Sequence, residues 1–403
     1  MQARDASAND SGDRNEATGG PEAAFVGVNL WQAMWWGAQD PRRLDRELDR
    51  LKELGVGVVR ILAGSEGPDD APHRVVPSLT PSPGAPRADM LRGLNRALDA
   101  IAGRGLGAIV CLGNFWHWSG GLAQYRAWCD GSAIPYPVGA DPDWETFARY
   151  AAGFYASKDA RDLFGAHLES IARELHGHEA VRFFEVLNEP RGANETEAMR
   201  DFLHESAARI RALTGRPVAL GSEGSTLAPD AAGLSFEDDH DHPAITHTTI
   251  HLWPQNWGRW DPVADDDAAF NEMLVWARSY VRDHAERAQV LGRPLIVEEL
   301  GLARDAGRFG QDATTERRDR FFDAIIDEVG RARRDGLPIA GIVFWAWAGE
   351  VLATEPGGAW RPGEALTGDP PHEPQGWYGI SARDESTHGV LRRGASVLST
   401  NPR

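Results

Sequence analysis

The 403-residue chain carries 60 Asp and Glu against 42 Lys and Arg, a formal charge of −18, with 42% hydrophobic and 25% charged residues. These are ordinary proportions for a globular protein with a sizeable core, and the negative sign argues against nucleic acid or an anionic membrane as partner, because phosphate is repelled. No run of about 18 apolar residues occurs, so no segment reads as a membrane-spanning helix.

Residues 1–24 are small and polar and lack an apolar h-region, which predicts a flexible leader rather than a signal peptide. Phe25 to Asn29 is the first strand candidate, followed by an aromatic cluster of Trp31, Trp35 and Trp36. Pro41 opens a helix in which Leu44, Leu48, Leu51 and Leu54 recur at helical spacing until Gly55. Strand two is Gly57 to Leu62, with Arg60 set inside an apolar run. A Pro-rich loop over 64–87 leads to a helix near 89–103, and Leu106 to Leu112 is strand three. A long excursion rich in Gly, Pro and aromatics follows, then a helix near 160–176. Strand four is the run Phe183-Phe184-Glu185-Val186-Leu187, which stops at Asn188-Glu189-Pro190. A helix over 195–213 precedes strand five, Pro217 to Gly221. Between 222 and 244 the expected helix is poorly defined. Strand six is Ile245 to Leu252, β-branched throughout, and a helix spans about 264–290. Pro294 to Glu299 is strand seven, 314–335 a helix, Ile339 to Trp347 strand eight, and 387–398 a closing helix.

Eight strand–helix units predict one parallel (β/α)8 TIM barrel over 25–403, with long loops after strands three and eight, at 113–158 and 348–385. Connections of that length are usually functional. A doubly wound sheet competes, but no Gly-x-Gly-x-x-Gly follows the first strand.

Such a barrel keeps its chemistry at the C-terminal ends of its strands. Glu189 lies at that end of strand four, and Glu298-Glu299 at that end of strand seven, across an eight-membered ring. Because side chains alternate along a strand, only one of the adjacent pair is expected to face the mouth. Two facing carboxylates about 5–5.5 Å apart are what retaining glycoside hydrolysis requires. Arg60, Asn114, Asn188, His251 and Trp345 fall on the same rim. Arg60 can keep a nucleophilic carboxylate ionised, Asn188 can bond a sugar hydroxyl, and Trp345 can form a floor. Singly, each is equally readable as packing. The 15 Trp are an unusual count, and flat rings suit stacking on sugars. Cys111 and Cys129, the two cysteines, can pair or stay free. Asp238-Asp239-His240-Asp241-His242 invites a zinc reading, but the run precedes strand six and reads better as an acidic loop. No metal or cofactor is expected.

These residues also carry a family resemblance. Asn188-Glu189-Pro190-Arg191 with Glu298-Glu299-Leu300-Gly301 resembles glycoside hydrolase family 5, and its β-mannanase branch in particular. Asn114-Phe115-Trp116, Thr249 through Trp257, Phe344 through Glu350, and Thr367 through Trp377 extend the likeness from about Phe25 to the C-terminus. The resemblance implies a metal-free enzyme in which Glu189 is the acid/base and Glu299 the nucleophile. It implies substrate contacts from Arg60, Asn114, Trp116, Asn188, His251, Trp253, Trp257 and Trp345, and repulsion from Glu299 that keeps Glu189 protonated. Trp253 stands where many relatives have Tyr, so an indole N–H replaces a hydroxyl; Phe115 stands where many have a second Asn. The implied substrate is β-mannan or manno-oligosaccharide, with endo action favoured over an exo-acting β-mannosidase or an endo-β-1,4-glucanase. An extracellular or periplasmic site is implied as well, although with no signal peptide visible a cytoplasmic one stays open. Oligomeric state is not legible.

Overall fold

The computed structural model describes residues 24–139, 142–227, 234–264 and 266–400; the leader expected over 1–24 lies outside them apart from Ala24. Eight strands run parallel: β1 (Phe25–Asn29), β2 (Val58–Leu62), β3 (Gly107–Cys111), β4 (Val181–Glu185), β5 (Val218–Ala219), β6 (Thr248–Leu252), β7 (Leu295–Leu300) and β8 (Ile339–Phe344). They neighbour one another in the order β5-β4-β3-β2-β1-β8-β7-β6. The remaining seam, between β5 and β6, is joined by Thr246, whose N–H reaches the Val218 carbonyl at 2.8 Å and whose Oγ1 accepts from Val218 N–H at 3.0 Å. The result is the expected (β/α)8 barrel.

Alternation along each strand sorts the side chains into layers. Phe25, Val58, Ile109, Phe183, Ala219, Ile296 and Val343 form an apolar plug inside the barrel, while their strand neighbours such as Val59, Val110 and Phe184 face the helices. Two residues further along, the same inward face presents Arg60, Cys111, Glu185 and Glu298, with Asn29 level with Arg60 on β1, all buried. A polar layer therefore sits directly on the plug, at the C-terminal ends of the strands.

Helices α1 (Ala33–Gln39), α2 (Pro41–Glu53) and α3 (Ala88–Ala102) cover the first strands. Asp40 caps α2 by accepting from Arg43 N–H, with Pro41 in the first turn. The expected excursion over 113–158 instead holds two helices, α4 (Gly121–Asp130) and α5 (Trp144–Ala156). Leu122, Ala123 and Tyr125, then Phe147, Ala148, Ala151 and Ala152, bury at helical spacing. Gly131 in the left-handed conformation ends α4, and the Asp143 side chain caps α5. These punctuation residues gave the segment its loop-like composition. Next come α6 (Lys158–Leu175), α7 (Thr196–Thr214), the five-residue α8 (Phe236–His240), α9 (Asp267–Val290), α10 (Glu316–Arg334) and α11 (Glu385–Ser399). Strand eight stops at Phe344; Trp347–Gly349 forms a separate strand, β9, paired with β10 (Ile380–Ser381). Cys111 is buried, Cys129 is exposed, and both are free thiols.

Candidate active site

After β4 the chain leaves the ladder but keeps its backbone bonds, which now run to flanking loops. Asn188 N–H donates to Gly113 O at 2.9 Å, Phe115 N–H to Asn188 O at 3.0 Å, and Glu189 N–H to Gly221 O at 2.9 Å. Held from both sides, Glu189 adopts φ +49°, a conformation that costs a non-glycine residue on the order of 1 kcal/mol or more. Its carboxylate faces the mouth, where Oε1 meets His251 Nδ1 at 2.7 Å and Oε2 accepts from Trp116 Nε1 at 2.5 Å.

On the opposing strand only Glu299 of the two adjacent glutamates lines the cleft, as expected, but strict alternation does not bring it there. In the β6–β7 register Ile250 pairs with Val297 but His251 pairs with Glu299, so Glu298 is an extra residue. A β-bulge of this kind breaks the alternation. Glu298 follows Ile296 inward, and Glu299 also swings into the barrel. Glu299 Oε1 accepts from Arg60 Nη1 at 2.5 Å and Oε2 from Trp253 Nε1 at 3.2 Å. The indole at 253 thus supplies the donor that a hydroxyl would have given. His251 Nδ1 also lies 3.4 Å from Glu299 Oε2. Single atoms of Glu189, His251 and Glu299 come within 4.8 Å of one another, the one such group of metal-type ligands among the described residues. Those atoms already meet N–H donors, and the Arg60 guanidinium opposes a cation there.

Arg60 is the hub beneath. Its Nε and Nη2 hold both oxygens of Glu185 at 2.7 and 2.5 Å, Nη1 also reaches Asn29 Oδ1 at 3.0 Å, and Nη2 reaches Asn188 Oδ1 at 2.7 Å. Burial alone would discharge Arg60, but Glu185, Glu298 and Glu299 hold its pKa well above the ordinary value. Burial likewise works against Glu185 as an anion, yet the Arg60 fork keeps its pKa low. Glu299 is pushed well up by burial, with Glu189 adding to the push and Arg60 opposing it. Burial and then Arg60 take His251 down to about 3, so its ring is neutral.

The cleft above has a volume of about 1330 Å³, and Trp116, Asn188, Glu189, Trp253, Trp257, Glu299 and Trp345 line it as expected of a rim. The buried indole N–H of Trp345 finds no acceptor among the described residues. Arg60, Asn114 and His251 are buried and do not line the cleft. Asn114 instead accepts from Trp116 N–H at 3.2 Å and Asn188 Nδ2 at 3.1 Å. These three side chains position their neighbours rather than reach into the cleft. The imidazoles of the 238–247 stretch do not gather: His240 bonds Phe236 O at 2.7 Å, His242 stacks on His204 and His247 on Phe183.

Sequence reasoning missed several participants. Glu185 and Glu298 were accessible through strict alternation from Phe183 and Ile296. Arg191 clasps Glu223 with bonds of 2.6 and 2.8 Å and lies 4.6 Å over the Trp116 ring. Burial raises Glu223 to about 7 against the pull of Arg191. The loops after β3 and β8 meet over the cleft, with ring centres 5.0 Å apart for His117 and His372 and 5.8 Å for Trp144 and His372. Asp369 shapes the second loop by accepting from the N–H groups of Gly376, Trp377, Tyr378 and Gly379 at 2.8–3.2 Å. That turn presents Glu373 and Trp377 to the cleft. No local sequence signal marks these contacts between distant loops.

A profile of the GH family 5 beta-mannosidase-like family matches residues 13–401. A family 5 mannosidase from Rhizomucor miehei is 29% identical and superposes with a TM-score of 0.84 over 94% of each chain; a variant of it was crystallised with mannosyl-fructose. Mannan endo-1,4-beta-mannosidase 4 of Oryza sativa subsp. japonica is 26% identical, covering 80% of this chain and 69% of its own. The endo-beta-1,4-mannanase of Thermotoga petrophila is 18% identical with a TM-score of 0.72, over 94% of this chain and 78% of its own, a likeness of fold. The chain belongs to the glycoside hydrolase family 5 β-mannosidase-like family and is a glycoside hydrolase.

Proposed function

We propose that the protein is a retaining, exo-acting β-mannosidase that removes mannose from manno-oligosaccharides. The observation that carries exo action is the junction of the loops after β3 and β8, where His117 and Trp144 meet His372. In the sheet order β3-β2-β1-β8 those loops bridge over β1 and β2, which closes that end of the cleft. A chain running through the site would have to pass that junction. This reading departs from the endo action favoured on sequence; the matched family and the R. miehei mannosidase support a mannoside substrate. The mannose preference rests on those relatives.

The mechanism follows from the carboxylate pair. Oxygens of Glu189 and Glu299 within 4.8 Å suit the retaining spacing of about 5–5.5 Å between carboxyl groups. The two titrate as a pair, and in the resting enzyme Glu189 holds the proton. With its neighbour neutral, Glu299 is an anion under the donors Arg60 and Trp253. It attacks the anomeric carbon while Glu189 gives its proton to the departing glycosidic oxygen. The C–O bond breaks and a mannosyl ester of Glu299 forms. Glu189, now ionised, takes a proton from water; the resulting hydroxide attacks the same carbon and releases Glu299. The neutral His251 donates one N–H between the carboxylates and steadies the charge as it moves.

The test is a product profile on manno-oligosaccharides beside cello-oligosaccharides, with NMR of the first-formed anomer. Mannose alone, released as the β-anomer, is the expected outcome. Mixed oligomers would overturn exo action, the α-anomer would overturn retention, and cleavage of the gluco series alone would overturn the substrate.

A further inference from the structure

Glu298 sits in the polar layer with both carboxyl oxygens buried and, among the described residues, no N–H donor reaching either one. Its surroundings come from every neighbouring strand. Arg60 Nε on β2 is 3.8 Å away and His251 Nε2 on β6 is 3.9 Å away, both beyond hydrogen-bonding distance. Asn29 on β1 donates at 3.1 Å to the Glu298 backbone carbonyl, not to its side chain. Glu299 follows it on β7. Glu185 on β4 shares this buried layer, and its charge acts directly on the Glu298 carboxyl.

Arg60 has nothing left to offer. A guanidinium carries five N–H donors, and here they go to the two oxygens of Glu185, Asn29, Asn188 and Glu299. Two carboxyls in one buried layer with no donor between them require a proton of their own. Glu185 accepts the whole fork of Arg60, so it is the anion, and the proton resides on Glu298.

We propose that Glu298 is a neutral carboxylic acid that donates its proton to Glu185, and that this buried acid pair is a positioning device for the nucleophile. By satisfying part of the Glu185 charge it leaves one Arg60 N–H free for Glu299. Burial, the Glu185 charge and the Glu299 charge all push the Glu298 proton on rather than off, with Arg60 alone opposing. The proposal rests on the reading of Glu299 as the nucleophile. It adds a residue whose influence passes through Arg60 and never through the substrate.

Two variants separate the protonation states. E298L removes the donor to Glu185, which then draws Arg60 away from Glu299. We expect kcat to fall about tenfold with KM little changed, and the acid limb of the kcat/KM profile to move to higher pH. E298Q replaces the O–H donor with an amide N–H, and we expect it to recover most of the kcat loss with the acid limb back in place. An acid limb in E298Q about one pH unit below the parent's means that an anion was removed, and overturns the proposal. A third readout survives if E298L fails to fold. Near neutral pH, the wild-type minus E298Q infrared difference spectrum of the substrate-free protein should contain a protonated-carboxyl band over the absorption shared by Glu189, Glu66 and Glu223; a difference spectrum without that band overturns the assignment. The band requires no turnover, so inactivity of the wild type on mannosides would defeat the proposed function while leaving the acid pair open to decision.

Discussion

The floor and the roof of the cleft are built on opposite principles. The floor is charged: Arg60, Glu185 and Glu299 are buried within a few ångströms of one another, with Glu298 beside them, on strands whose backbone is locked by the barrel. Each donor of Arg60 has a defined acceptor. The roof is largely neutral: Trp144, His117, His372 and Trp377 come from the connections after β3 and β8, and burial keeps its histidines uncharged, His372 down to about 3. Its acidic groups stand behind the surface, at Asp369 and Glu66, as anchors for backbone N–H groups. In the proposed function, charge positioned by strands performs the reaction, and neutral surface positioned by anchored loops decides how many sugars enter. The two regions should therefore fail in different kinetic parameters.

The largest effect is expected at the floor. Glu299→Ala removes the nucleophile and should lower kcat by at least about 10⁴-fold. Azide should restore turnover and yield a glycosyl azide of inverted configuration. Restoration with retained configuration would assign the nucleophile elsewhere. Arg60→Lys keeps the charge but replaces five donors in a planar fork with three on a point charge. It cannot span Glu185 and Glu299 together, so kcat should drop about 10²-fold or more with KM nearly constant. A rise in KM alone would mean that Arg60 serves binding.

The roof should respond in the opposite sense. Asp369→Ala leaves four backbone N–H groups without their acceptor, at a cost on the order of 1 kcal/mol or more for each that stays buried. The turn that presents Glu373 and Trp377 should loosen and open the closed end. We expect KM for mannobiose to rise about tenfold, kcat to change less than about threefold, and products longer than mannose to appear from mannopentaose. Mannose as the sole product with unaltered KM would detach the roof from specificity.

The same division explains what the sequence disclosed. Elements with a strong period were legible: β1 to β8, the long helices, and Glu189 and Glu299 through the apolar runs that end at them. The polar layer was half legible. Alternation from Val58 carries Arg60 inward, and the same rule applied from Phe183 and Ile296 carries Glu185 and Glu298 inward. Applied strictly, that rule also turns Glu299 outward. A bulge, which depends on pairing with His251 on another strand, brings it back. The roof was illegible because its bonds join residues far apart in sequence, such as Tyr378 Oη to Asn256 Oδ1 at 2.6 Å. Helices α4 and α5 were obscured by the Gly, Pro and Asp residues that bound them.

The smallest effect sharpens the contrast by titrating a roof anchor. Glu66, wholly buried, accepts from Gly121 N–H at 3.0 Å and Tyr125 Oη at 3.4 Å, while Arg74 binds its backbone carbonyl. Burial pushes its carboxyl up from 4.5 to about 7, against the pull of Gly121, Tyr125 and Arg74. A folded-state value above the unfolded one means that the folded protein holds the proton longer. The stabilisation is complete below the unfolded value near 4.5 and is lost as pH climbs through about 7. Glu66→Gln preserves the shape and an acceptor for Gly121 but cannot ionise. Its stability relative to the parent should therefore rise between about pH 4.5 and 7 and level off above, by no more than about 3 kcal/mol. Thermal melts of both proteins across that window measure the difference directly. A gap that stays flat would mean that Glu66 is ionised at all these pH values and that the roof is anchored by charge, as the floor is.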